Sequence, residues 1–224
     1  MPFGKQAGES GNVLIYVLIA VVLFAALSFA LTRQLGGSNG MTGTLDDNRA
    51  RLKAEELINY ATGVRSAAEQ MRTMGNVLPD EFSFVKQGDS GYATPPNRGK
   101  IYHPGGGGIT PYVPDDDVFA EGSAKRGWSG QVGTNVEWTA SAGSDVILTF
   151  VDVAPKICKA INARLYKDDA IPVSTLDPSK VFINGGGDDA DFTTAGCAAC
   201  KDKVSYCVQG ADGSYDFYNV IVAR

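Results

Sequence analysis

The stretch VLIYVLIAVVLFAALSFAL, residues Val13 to Leu31, decides how the rest of the sequence is interpreted. It contains no charged residue, glycine or proline. As an α-helix with a rise of ~1.5 Å per residue it is about 28 Å long, close to the hydrocarbon thickness of a bilayer. A removable secretory signal usually has a shorter apolar core, of about 7–15 residues. Although Ser28 and Ala30 imitate a cleavage site, the run predicts a retained transmembrane helix.

The charges on either side of this run give conflicting indications of its orientation. Lys5 precedes it and is partly offset by Glu9, whereas Arg33 and further basic residues follow it. The positive-inside rule alone places the following domain in the cytoplasm. All four cysteines lie in the last third of the chain, and an even, clustered set indicates disulfides in an oxidising compartment. We follow the cysteines and predict that the C-terminal domain lies outside the cytoplasm.

Composition limits the class of protein. The chain has 224 residues and a net charge of −5. No stripe of lysine and arginine is present to neutralise phosphates, so no nucleic-acid partner is expected. About 180 residues follow the apolar run and its flank, which is enough for one core. The 27 glycines indicate many turns.

The residues at the start of the apolar run carry a family resemblance. Glu9-Ser10-Gly11-Asn12-Val13 followed by LIYVLIA resembles the start of a type IV pilin or of a type II secretion pseudopilin, over roughly residues 9–31. The resemblance implies that a prepilin peptidase cuts after Gly11 on the cytoplasmic side, so that Asn12 becomes the first mature residue. Gly4 has the same spacing to Glu9, but polar residues lie between them, and we prefer Gly11.

One position departs from the family. The family usually has glutamate at the fifth mature position, where it pairs with the N-terminal amine of a neighbouring subunit, and this chain has Tyr16. Some minor, tip-located pseudopilins also lack the glutamate. The departure therefore favours a minor subunit over a shaft subunit.

A glycine-rich linker and a second helix are predicted after the membrane run. The linker covers residues 34–43, and the helix restarts near Thr44 and ends by Gly75, with Pro79 beyond it. Apolar residues then recur at spacings of three and four, which predicts one apolar seam. The seam either lies on the domain's own sheet or packs against other helices in an assembly. Its members are Ala50, Ala54, Leu57, Ala61, Val64, Ala68 and Met71.

The C-terminal half predicts a small α+β domain. Residues 146–153 form the clearest strand, and Pro155 opens a helix with Ile157, Cys158, Ile161 and Leu165 on one face. Residues 204–208 and 215–222 flank a Gly-Ala-Asp-Gly turn and predict a terminal β-hairpin. Residues 80–143 are predicted to be irregular, with a short strand at 82–85.

The cysteine pairing is not fixed by the sequence, because four cysteines allow three connectivities. We prefer Cys158 with Cys207, which joins the helix to the last hairpin, and Cys197 with Cys200. Two alternatives stay open. Cys197 and Cys200 have the spacing of a redox pair, but no strand-to-helix context accompanies them. A four-thiolate zinc site lacks a second closely spaced pair.

The remaining chemical motifs are weak. Asp188, Asp189 and Asp191, like the acidic run Asp115 to Asp117, are calcium candidates, yet we prefer the interpretation that they are solvated loop carboxylates. Gly105 to Gly108 lack the Lys-Ser/Thr of a phosphate loop and are predicted to be a turn that passes close to other backbone. His103, the only histidine, lies in a loop without a nucleophile motif. We expect no enzyme, no cofactor and no dedicated metal site.

These inferences together predict an α+β, pilin-like chain. Its parts are a leader (1–11), a transmembrane helix (12–33), the linker (34–43) and a periplasmic domain (44–224), in which an amphipathic helix packs on an antiparallel sheet and disulfides close the C-terminal region. The expected partners are the bacterial inner membrane, a prepilin peptidase and other pilin-like subunits. The alternative is a single-pass anchored periplasmic binding or scaffold domain that does not polymerise.

Overall fold

The computed structural model describes residues 10–35, 38–182 and 191–224. The chain divides into two compact units between Asn48 and Arg49. The first unit contains helix α1, Ser10–Leu35. Helix α2, Ser38–Gly75, begins in the first unit and continues into the second.

Helix α2 begins earlier than the sequence predicts. It starts at Ser38 rather than near Thr44, so helix occupies much of the predicted linker, of which residues 36–37 lie outside the described residues. A glycine within a helix costs only about 1 kcal/mol relative to alanine, so Gly40 and Gly43 weaken this turn without ending it. The predicted end at Gly75 is confirmed, and Pro79 then opens a short 3₁₀ turn.

The second unit is built on a four-stranded antiparallel sheet in the order β1-β2-β4-β3. Strands β3 and β4 form the predicted terminal hairpin, and helix α3 begins at Pro155 as expected. A short helix, α4, Pro178–Val181, precedes β3. The bounds are β1 Gly127–Thr134, β2 Asp145–Val151, α3 Pro155–Tyr166, β3 Ser205–Gln209 and β4 Tyr215–Val222.

Each face of the sheet carries its own core. Side chains alternate between the faces of a strand, so Leu148 and Phe150 face one way and Ile147 the other. The first face packs with α2 and α3 in one apolar cluster. The second packs under the C-terminal loops, where Phe182 and Phe192 meet Tyr218. The fold is therefore α+β, with the helices and the Cys158–Cys207 disulfide on one face and the loops that contain Cys197–Cys200 on the other.

The predicted seam of α2 lies in the first core. All seven of its side chains are buried, with Leu57, Val64 and Ala68 fully inaccessible. Of the two interpretations of the seam, packing against the chain's own domain is the one seen in the structure.

The prediction of irregular chain over residues 80–143 was wrong for β1. The strand sequence GWSGQVGT holds three glycines and a single β-branched apolar residue, so it carries little strand signal. Gly130 is required by packing, because a Cβ there would lie 2.0 Å from the Phe84 ring. Residues 82–85 make only one isolated bridge, from Ser83 to Lys100.

The glycine turn at residues 105–108 behaves as predicted. A Cβ on Gly106 would lie 2.3 Å from the Lys100 carbonyl oxygen, and one on Gly107 would lie 2.6 Å from that of Ile101. Gly108 has a φ of +64°, which favours glycine. The glycines allow two backbone segments to touch.

Candidate functional site

The N-terminal helix presents an uncovered apolar surface. Gly11 and Asn12, the predicted processing point, lie within the first turn of α1, and the preceding leader residues 1–9 lie outside the described residues. The large apolar side chains described in α1 are all exposed, from Ile19 at 48% to Phe24 at 76%. Among the residues that the structure describes, no helix meets the length and apolarity required to cross a membrane.

Tyr16 belongs to this exposed surface. Its side chain is 66% exposed, at the position where the resembling family has glutamate. A phenol offers a hydroxyl at this position in place of a carboxylate. A partner is therefore contacted here only through apolar packing and a hydroxyl.

The acidic run 115–117 is neutralised by basic side chains. Lys53 on α2 donates to Asp115 at 2.8 Å and to Glu56 at 3.1 Å. Arg49 pairs with Asp117 at 2.7 Å, and Lys125 with Asp116 at 2.9 Å. The hydrogen bond from Lys53 lowers the pKa of Asp115. Through Asp115 and Asp117, the run links the loop that precedes β1 to α2 rather than forming a cation site.

All four cysteines are in disulfides. Cys158 on α3 bonds to Cys207 on β3, and Cys197 bonds to Cys200 across a 3₁₀ turn. Both predicted pairings are confirmed. All four side chains are at most 2% exposed, so the structure contains neither the zinc-binding thiolates nor the accessible redox pair considered as alternatives.

The calcium candidates are only partly described. Asp188 and Asp189 lie outside the described residues, and Asp191 is exposed. Within the described part of the chain no group of three or more His, Cys, Asp or Glu side chains is arranged to hold a metal ion.

His103 has a structural role in its loop. Its Nδ1 accepts a hydrogen bond from the Gly105 N–H at 2.9 Å, and its ring centroid lies 4.9 Å from that of Tyr92. The imidazole thus stabilises the glycine turn. Among the described residues, no serine or cysteine side chain is hydrogen-bonded to this histidine.

A buried carboxylate pair was missed by the sequence analysis. Asp152, at the end of β2, accepts two hydrogen bonds from the Arg126 guanidinium at 3.0 and 3.1 Å. Burial opposes ionisation of Asp152, but these hydrogen bonds lower its pKa. Asp216, fully buried on β4, accepts from Ser214 Oγ at 2.9 Å and from the Asp152 N–H at 3.3 Å. Burial raises the pKa of Asp216 to about 7.

The sequence contained one weak signal for this pair. Asp152 and Asp216 are charged residues within otherwise apolar strand patterns, at positions that a half-buried strand usually fills with apolar side chains. The contact between them depends on the β2–β4 register, which is not readable from either strand alone.

Comparison with protein-family models, with curated proteins and with solved structures found no match for this chain. The resemblance in residues 9–31 therefore depends on the residues themselves.

Proposed function

We propose that the chain is a minor pilin-like or pseudopilin-like structural subunit of a type IV pilus or a type II secretion-type envelope fibre. The observation that carries the proposal is the N-terminal arrangement. A polar leader ends in Gly11, and an uncharged apolar run follows at once in a helix whose described large apolar side chains are exposed. Such a surface needs a nonpolar environment, either a bilayer or the apolar helices of other subunits.

The domain after this helix fits a mechanical role. Its α+β core is closed by two buried disulfides, and its histidine and buried carboxylates serve packing and loop stability. In this proposal the prepilin peptidase removes residues 1–11. The chain enters the inner membrane with its N-terminus in the cytoplasm, and the domain lies in the periplasm. Tyr16 in place of the usual glutamate favours an initiating or tip position over the shaft.

The proposal is tested by N-terminal sequencing and intact mass of the membrane-purified protein. We expect a start at Asn12 and, on reduction, a gain of four hydrogens from the two disulfides. The substitution Gly11→Val should abolish cleavage and leave Met1 in place. Gly8→Val is the matched control, since it changes a glycine three residues away and should be cleaved normally.

Two other N-termini of the purified protein would contradict parts of the proposal. An intact Met1 in the unsubstituted protein contradicts prepilin processing. A start after Ala30 indicates a secreted protein and contradicts the membrane helix as well.

The second candidate is a single-pass anchored periplasmic binding or scaffold domain that never polymerises. A specific observation favours it: the apolar seam of α2 is already buried in the chain's own core and is not available to a helix of another subunit. The two candidates differ at Gly11, because an anchored domain keeps its N-terminus and a fibre subunit loses it.

A further inference from the structure

The two edge strands of the sheet, β1 and β3, differ in whether their outward backbone groups are hydrogen-bonded. At the β3 edge, the Asn162 side chain accepts from the Cys207 N–H at 2.9 Å and donates to the Cys207 carbonyl oxygen at 2.8 Å. The Gln209 N–H donates to the Pro172 carbonyl oxygen, and the Ser174 N–H donates to that of Gln209. These side-chain and main-chain bonds close the β3 edge.

In an antiparallel sheet, alternate residues of an edge strand point their backbone N–H and C=O groups away from the sheet, and the pairing identifies these residues in β1. The backbone N–H and C=O groups of Cys207 and Gln209 point away from β4. When the pairing is followed across β4 and β2 to β1, the backbone groups of Trp128, Gly130 and Val132 also point away from the sheet. Among the described residues, the Lys86 ammonium alone donates to the Trp128 carbonyl oxygen, at 3.4 Å. Within the described residues, the N–H and C=O groups of Gly130 and Val132 have no hydrogen-bond partner on this side.

A cavity lies beside this open edge. It has a volume of about 390 Å³ and is lined by residues 82–86, Asp89 and Tyr102 on one side, including the charged Lys86 and Asp89, and by residues 128–130 and 132 of β1 on the other. The Phe84 ring lies directly over Gly130. A strand paired with β1 would direct every second side chain toward this mixed polar and aromatic lining.

We propose that the β1 edge binds an extended peptide segment of a partner protein as an added strand. The peptide's backbone pairs with the N–H and C=O groups of Gly130 and Val132, and its alternate side chains enter the cavity. Lys86 gives up its bond to Trp128 as the strand arrives. The paired segment is short, because the register of β1 shifts after Val132 and ends the regular edge there. This proposal does not depend on whether the chain is a pilin-like subunit.

A foreign peptide fits this edge better than a second copy of the chain. Two copies paired through β1 would each bring a Phe84 ring and residues 82–86 to the same cleft. The Trp128 side chain of the second copy is already buried in its own core and is not free to fill the cavity. An isolated strand carries no such bulk.

The test is hydrogen–deuterium exchange of the full chain in detergent micelles, followed at single-residue resolution. The probe is a hexapeptide that alternates threonine and valine, and its control is the same peptide methylated on every backbone nitrogen. Before peptide is added, the Gly130 and Val132 amides should exchange at least tenfold faster than those of Ser129 and Gln131. The unmodified peptide should slow the first two amides at least tenfold, and the methylated peptide should leave them unchanged.

Two variants separate edge pairing from general apolar binding. Val132→Pro removes an outward N–H without touching the β2 ladder and should weaken peptide binding at least tenfold, while Val132→Thr keeps the N–H and should bind normally. Equal binding of both peptides, no slowing at millimolar peptide, or slowing that rises with protein concentration in the absence of peptide would each overturn the proposal. Should Val132→Pro fail to fold, exchange in the unsubstituted chain with the two peptides decides the question.

Discussion

At the scale of single residues, a buried polar side chain is stabilised by the hydrogen bonds that it accepts or donates. Lys100 is the plainest case: it is 7% exposed, and its ammonium donates to the carbonyl oxygens of Gly91 and Tyr92 and to Asn97 Oδ1 at 2.6–2.9 Å. A buried ammonium without an opposite charge is tolerated only when such acceptors surround it. The Lys100 ammonium therefore holds the loop 91–97 in place. The spacing of residues in the sequence does not predict this arrangement.

Asp216 should make stability depend on pH near neutrality. Its carboxyl faces Ser214, the Asp152 N–H, Asp212 and Arg126, and burial raises its pKa from 3.8 to about 7. A pKa raised by folding means that the contribution is fully present below pH 3.8 and is lost as the pH rises through about 7. We expect the free energy of unfolding to fall on the order of 2–4 kcal/mol between pH 4 and pH 8, as measured by urea denaturation.

The substitution Asp216→Asn isolates this effect. An amide keeps the acceptor for the Asp152 N–H and has no charge to desolvate, so the variant should lose most of the slope across this pH range. Asp202→Asn is the control, since Asp202 is exposed and its φ of +61° suits asparagine. An Asp216→Asn variant with the same slope as the unsubstituted protein would show that another group titrates.

At the scale of elements, Asn162 acts as a substitute strand for β3. Its amide satisfies the outward N–H and C=O of Cys207 and also donates to the Ala170 carbonyl oxygen at 2.9 Å. Asn162→Asp retains the shape but loses both donated bonds and buries a charge. We expect a loss of about 2–4 kcal/mol at pH 7 by chemical denaturation, shrinking at low pH where the carboxyl is protonated. Asn59→Asp, on the exposed side of α2, should change stability little; an equal loss there would contradict this account.

The two disulfides should differ in their contribution to stability. Cys158–Cys207 spans a sequence separation of 49 and Cys197–Cys200 a separation of only 3. Closing the longer loop restricts the unfolded chain more, and the difference in loop-closure entropy corresponds to about 2 kcal/mol. Replacing Cys158 and Cys207 by alanine should therefore lower the free energy of unfolding by about 2 kcal/mol more than replacing Cys197 and Cys200, since all four side chains are buried alike. Equal losses would argue against loop closure as the cause.

The elements also show where sequence-based inference stops. The helices α2 and α3, the strand β2 and the terminal hairpin carry periodic apolar residues, and all were predicted apart from the start of α2. Strand β1 was not, because its inward positions include Gly130, whose place is taken by Phe84 from a distant loop. An apolar contact supplied from outside the strand leaves no pattern within it.

At the scale of the whole molecule, the buried and the exposed apolar side chains fall in different parts of the chain. Both cores and both disulfides lie within residues 49–224, whereas the described apolar side chains of α1 are exposed. The α+β class was predictable from the periodicity of the apolar residues. The open β1 edge and the buried Asp152–Asp216 pair were not, because each depends on a register between distant segments.

This division predicts that the domain folds without its N-terminal helix. A chain comprising residues 44–224 should form both disulfides and melt within about 3 °C of the full chain, since it keeps every core residue of the second unit. The full chain should enter the detergent phase on cloud-point partitioning and the shortened chain the aqueous phase, because only the former retains the apolar run. A full chain that stays in the aqueous phase would contradict the membrane helix, while a shortened chain that fails to oxidise correctly would show that the first unit is needed for folding. Partitioning and disulfide formation are independent measurements, so the anchor and the autonomy of the domain are tested separately.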